Sequence, residues 1–133
     1  MTQSEVTMKT RIGIGILTFL PLGAVTINSR GCINHFLQGG WPPHAMYHLL
    51  MGLGALLATC GLLLFLTWIP LRRGERWAWF AIAFAAFTVH GGTLIGDLVT
   101  DGGSGSVVFA GLLATIVLYG VGLSLTWSST RPA

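Results

Sequence analysis

The sequence predicts an all-α integral membrane protein, a four-helix bundle with both termini in the cytoplasm. Three observations carry that expectation. The chain of 133 residues is 53% hydrophobic and only 8% charged. Its apolar residues fall into four long blocks instead of alternating with polar ones, each near the roughly 20 residues that cross about 30 Å of hydrocarbon. The basic residues gather at block ends: Lys9 and Arg11 before the first, Arg72, Arg73 and Arg76 between the second and third, Arg131 after the fourth. With four spans these six share one side and only Arg30 faces them, so the positive-inside rule puts both termini inside.

The expected spans cover residues 12–28, 45–69, 77–99 and 107–127, in one membrane domain. The first is short, carries Pro21 and follows a basic start, as a signal peptide would. No small-x-small cleavage site follows it, and Ser29-Arg30-Gly31-Cys32 makes a poor lipoprotein cleavage box, so a retained helix is expected. Residues 29–43 then form an outer loop ending in Trp41-Pro42-Pro43, where proline suits the first turn of the next helix. Span two ends at Pro70, and 71–76 make a tight basic turn. Residues 101–106 (Asp-Gly-Gly-Ser-Gly-Ser) make a flexible turn, in which Asp101 or Ser104 could cap a helix. Trp68, Trp77, Trp79 and Trp127 form an inner aromatic belt, with Trp41 and Tyr47 at the outer one.

Small residues suggest the helix contacts. Gly92-x-x-x-Gly96 on span three, Gly54, Ala58 and Gly61 on span two and Gly120-x-x-x-Ser124 on span four would let backbones approach closely. Span three, with a glycine face opposite a polar one, is expected at the centre. Cys32 falls in the outer loop and Cys60 deep in span two, too far apart to pair and in no metal or redox spacing. The net charge of +3 follows topology and is no nucleic-acid signal.

Ionisable residues within apolar sequence are costly and mark functional sites by default. Here they are His44 and His48 on span two and His90, Asp97 and Asp101 on span three. His44 and His48 lie one turn apart on one face, a common way to offer two nitrogens to one metal ion. The two spans run antiparallel, so helix rise sets Asp97 at a depth between the two histidines and His90 about 10 Å deeper. His44, His48 and Asp97 are therefore the candidate metal ligands; His48, Asp97 and His90 are the candidate catalytic groups. Two histidines and a carboxylate match a non-haem iron or catalytic zinc ligand set, and without metal the same groups make an acid–base pair. Simple hydration would also account for His44 near the interface, and a backbone carbonyl for His90. Asp101 reads as a solvated turn residue. His35 and Asn34 in the outer loop could fold over the cluster.

Trp41-Pro42-Pro43-His44-Ala45-Met46-Tyr47-His48 resembles a signature of small four-span membrane proteins in which tryptophan, proline and two histidines four apart open the second span. The match falls at Trp41, Pro43, His44, Tyr47 and His48 and departs at Met46, where arginine is frequent. It covers about a tenth of the chain and implies a functional histidine pair without naming a reaction. The layout is also similar, as fold alone, to the four-helix part of sterol-isomerase-type membrane proteins.

The leading expectation is a multi-pass cell-membrane enzyme acting on a lipophilic substrate in the outer half of the bundle, through proton transfer or through a metal such as iron, zinc or copper. A second class stays open: an accessory or structural subunit of a larger membrane complex, its histidines ligating haem or pigment. A third is a small proton-coupled transporter, although the broken paired helices of many transporters are missing. Partners would be the bilayer, a lipophilic small molecule, and a second copy or a membrane complex.

Overall fold

The computed structural model describes residues 3–99 and 105–130, apart from the side chains at 3–6, 97, 106 and 107. It is an all-α four-helix bundle of α1 (Gln3–Gln38), α2 (Pro43–Leu66), α3 (Arg76–Val99) and α4 (Gly105–Trp127). All four helices are long and apolar enough to cross a membrane.

The first helix differs most from expectation. The outer loop is confined to a short link, because α1 continues through Ser29 and Cys32 to Gln38. Its 36 residues rise about 54 Å, well beyond about 30 Å of hydrocarbon. Pro21 lies inside it and is buried, so the N–H it lacks leaves the Leu17 carbonyl without its usual partner but does not break the helix. What stops α1 is Gly39-Gly40, with φ of 65° and 76°, a left-handed pair that only glycine adopts freely. The chain then re-enters helix at Pro43, and Met46 N–H donates to the Pro42 carbonyl to close the first turn.

At the far end of α2, Thr67–Leu71 form a widened π turn around Pro70. Proline cannot donate into the ladder and its ring crowds the preceding turn, which is a standard cause of such a bulge. Residues 72–75 reverse the chain. Gly74, at φ 83°, lies so close to the C-terminal segment that a Cβ there would meet the Ser129 carbonyl oxygen at 2.9 Å.

Packing is uneven along the bundle. Leu17, Leu63, Leu66, Leu71, Ala78, Ile82, Ala86, Tyr119 and Leu123 form the buried core, mostly towards the end that holds the π turn. Several polar groups there are paired: Thr67 donates to the Leu63 carbonyl at 2.7 Å, Trp79 Nε1 to the Leu123 carbonyl at 2.8 Å, and Trp68 Nε1 to Thr18 Oγ1 at 3.0 Å. The opposite end, with the two histidines of α2, is much more open.

The helix neighbours also correct the glycine reading. Among the described residues no helix is central: α1 packs most on α4 and next on α2, α3 packs on α4, and α2 and α3 touch least of the helix pairs in contact. The tight crossing is between α1 and α4. A Cβ at Gly13 would meet the Gly122 carbonyl oxygen at 2.7 Å and Thr126 Cγ2 at 2.8 Å. A Cβ at Gly54, Gly61, Gly92, Gly96 or Gly120 would meet nothing within 4 Å. At those positions the described residues show no close backbone approach of the kind seen at Gly13.

Candidate functional site

Because α2 and α3 diverge towards the open end, a cavity of about 410 Å³ lies between α1, α2 and α3. Its wall is mostly apolar: Leu49, Leu53, Leu56 and Ala55 from α2 and Val89 from α3. Polar atoms come from Asn28 and Cys32 of α1, His48 and Thr59 of α2, and Thr93 of α3. Thr59 donates its hydroxyl to the Ala55 carbonyl and Thr93 to the Val89 carbonyl, each at 2.8 Å. Asn28 Nδ2 donates to the Ala24 carbonyl at 2.8 Å, which leaves its side-chain oxygen as the acceptor.

His48 is the group in this wall best suited to chemistry. One turn earlier, His44 brings its Nε2 to 3.1 Å from His48 Nε2, the rings nearly perpendicular with centroids 4.4 Å apart. Tyr47 stands edge-on to His48 at 5.6 Å. Two imidazole nitrogens this close share a single proton, one ring donating and the other accepting, when both are neutral. The same separation, with ligand bonds of about 2.0–2.1 Å, subtends about 100° at a shared metal ion, near tetrahedral or cis-octahedral geometry. The pair alone offers two ligands. Among the described residues, no group of three His, Cys, Asp or Glu side chains is placed to hold a metal.

The remaining expected site residues separate. His90 is half-buried and turns towards α4, its ring 5.3 Å from that of Tyr119 and tilted by 33°. Thr93, three residues further along α3, lines the cavity with His48. The Asp97 side chain and Asp101 lie outside the described residues. His35 sits on the last turn of α1, not in a loop, and packs edge-on against Trp41 at 5.2 Å.

Three residues escaped the sequence reading. Asn28 closed the expected first span and Cys32 was placed in a loop, yet both face the cavity because α1 runs on past them. Cys32 is buried and free. Tyr119 is 1% exposed, and its hydroxyl has no hydrogen-bond partner. A tyrosine midway along an apolar helix was the only available signal for it.

No protein-family model, curated protein or solved structure matches the chain.

Proposed function

We propose that this protein is a membrane-embedded enzyme that transfers protons on a lipophilic substrate, in the outer half of a bundle whose termini face the cytoplasm of a cell membrane. The observation that carries the reading is that His48 belongs at once to an apolar cavity wall and to a pair with Nε2 atoms 3.1 Å apart. An apolar cavity with few convergent polar groups is the usual form of a small-molecule site. His48 would accept a proton from the substrate while His44 stabilises the resulting imidazolium, and the proton would return to a second carbon, an isomerisation or cyclisation. Asp97 is assigned as the carboxylate that orients the pair, and His90 as a deeper supporting group. The alternative use of the same residues is a transition-metal site, with His44 and His48 as two ligands and Asp97 as the third.

Exchange from heavy water tests the proton-transfer reading without knowledge of the substrate. Purified protein in lipid nanodiscs is incubated with extracted membrane lipids in D₂O, and mass spectrometry looks for carbon-bound deuterium. One lipid species should gain label with the wild type and lose it with His48→Ala. Absence of any label above a heat-inactivated control sinks the proposal. Metal analysis of wild type, His48→Ala and Asp97→Asn decides the metal alternative: loss of metal in both variants supports it, and a metal-free wild type removes it.

A second reading, a subunit of a homo-oligomer or larger membrane complex, is favoured by a separate observation. Gly54 and Gly61 on α2 and Gly92 on α3 have open space where a Cβ would be, and such positions in membrane helices allow close approach of another backbone. Native mass spectrometry from mild detergent would show a stoichiometric partner or a second copy.

A further inference from the structure

The cavity at His48 does not end at its floor. Thr59 and Val89 line it and also line a second groove of about 490 Å³, which continues between α2 and α3 towards the π turn. That lower groove is walled by Leu62, Leu66, Phe84, Ala81 and Ala85 and ends beside Trp77. Its continuity explains why α2 and α3 touch so little. From His48 to Leu66 the α2 axis rises about 27 Å, whereas a single leaflet offers a phospholipid chain about half of the roughly 30 Å hydrocarbon core.

We propose that the two grooves form one channel for a single long-chain lipid with an uncharged oxygen head, of the polyisoprenoid alcohol or quinone type. This rests on the reading of His48 as the reacting group only for where the head sits. Length argues for a chain that passes the bilayer midplane. Small residues on both walls, Gly52 and Ala55 above and Ala81 and Ala85 below, leave width for a branched chain. Charge argues for the head: among the described residues neither groove is lined by Lys, Arg, Asp or Glu, so a phosphate or carboxylate would find no permanent cation there. A hydroxyl or carbonyl oxygen, by contrast, meets His48 and the free acceptor of Asn28 at the upper end.

The test uses thermal stabilisation of the full chain in detergent, at equal mole fractions of added lipid in the micelle. Geranylgeraniol should stabilise at a mole fraction about tenfold lower than geraniol, the additional chain contacts being made only in the lower groove. Geranylgeranyl phosphate and dioleoylphosphatidylcholine should fall short of geranylgeraniol. Ala85→Trp should remove the advantage of the longer alcohol while leaving the response to geraniol, and the milder Ala85→Leu should reduce it should the tryptophan variant fail to fold. Equal response to the two alcohols, preference for the phosphate, or no effect of filling at Ala85 overturns the proposal. Loss of deuterium exchange with chain-length dependence intact would remove the enzyme reading and leave the channel; exchange without chain-length dependence would remove the channel alone.

Discussion

His44 Nε2 and His48 Nε2 lie 3.1 Å apart on one face of α2, and only the second of the two also lines the cavity. Under the proposed proton-transfer reading that asymmetry separates the roles: His48 would meet the bound molecule, and His44 would act only through His48. Replacing His48 by alanine should lower deuterium exchange by about 10²–10⁴-fold, the ordinary contribution of a positioned acid–base group. His44→Ala should cost less, and the double variant should cost little more than His48→Ala, because His44 acts through His48. Both side chains are exposed, so thermal stability should change within about 0.5 kcal/mol. Additive losses on combining the two would show that the histidines act separately.

The crossing of α1 on α4 should be the most sensitive place for small additions. A methyl at Gly13 would fall 2.7 Å from the Gly122 carbonyl oxygen and 2.8 Å from Thr126 Cγ2, and the backbone carbonyl cannot yield without moving a helix. Gly13→Ala is expected to destabilise by about 1–3 kcal/mol, as overpacking does. Gly92→Ala, with open space around it, should instead be neutral or stabilise by up to about 1 kcal/mol through helix propensity. Reversible unfolding in mixed micelles would measure both. Equal effects at the two positions would contradict the crossing.

These glycines also show where sequence reading succeeded and where it stopped. Four helices were legible because apolar block length and flanking charge are properties of each segment alone. Which helices meet is not such a property. The polar residues suggested that α2 faces α3, consecutive elements usually being neighbours, and small residues alone suggested close contacts at Gly54 and Gly92. The observed close approach joins Gly13 to Gly122, whose partnership nothing local announces. His90 illustrates the same limit: its neighbour Tyr119 comes from α4, not from the histidine helix. The histidine pair was legible because both members belong to one turn. Asn28 and Cys32 were not, because polar residues after a short apolar block read as a loop, while the backbone found no strong breaker before Gly39.

Arg76 fastens the turn between α2 and α3 to the chain after α4. Its guanidinium lies 4.6 Å from the Trp127 ring centroid and donates to the Thr130 hydroxyl at 3.4 Å and carbonyl at 3.3 Å. These are long bonds, so the stacking on Trp127 should dominate. Arg76→Ala should cost about 1 kcal/mol. Arg76→Lys keeps the charge but not the planar donor fork, and should recover less than half of that loss. Full rescue by lysine would show that only the interfacial charge matters.

Tyr119 provides a prediction with an unusual sign. Its ring is part of the buried core, stacked near His90, but its hydroxyl is buried without a partner. An unpaired buried hydroxyl costs about 1–3 kcal/mol, whereas the ring itself contributes packing whose loss costs about 3–5 kcal/mol. Tyr119→Phe should therefore raise the unfolding temperature, and Tyr119→Ala should lower it sharply. The phenylalanine variant keeps every ring contact, so a fall in stability could not come from packing. Such a fall would mean that the hydroxyl makes a bond in the membrane, and His90 is the nearest imidazole that could take part in it.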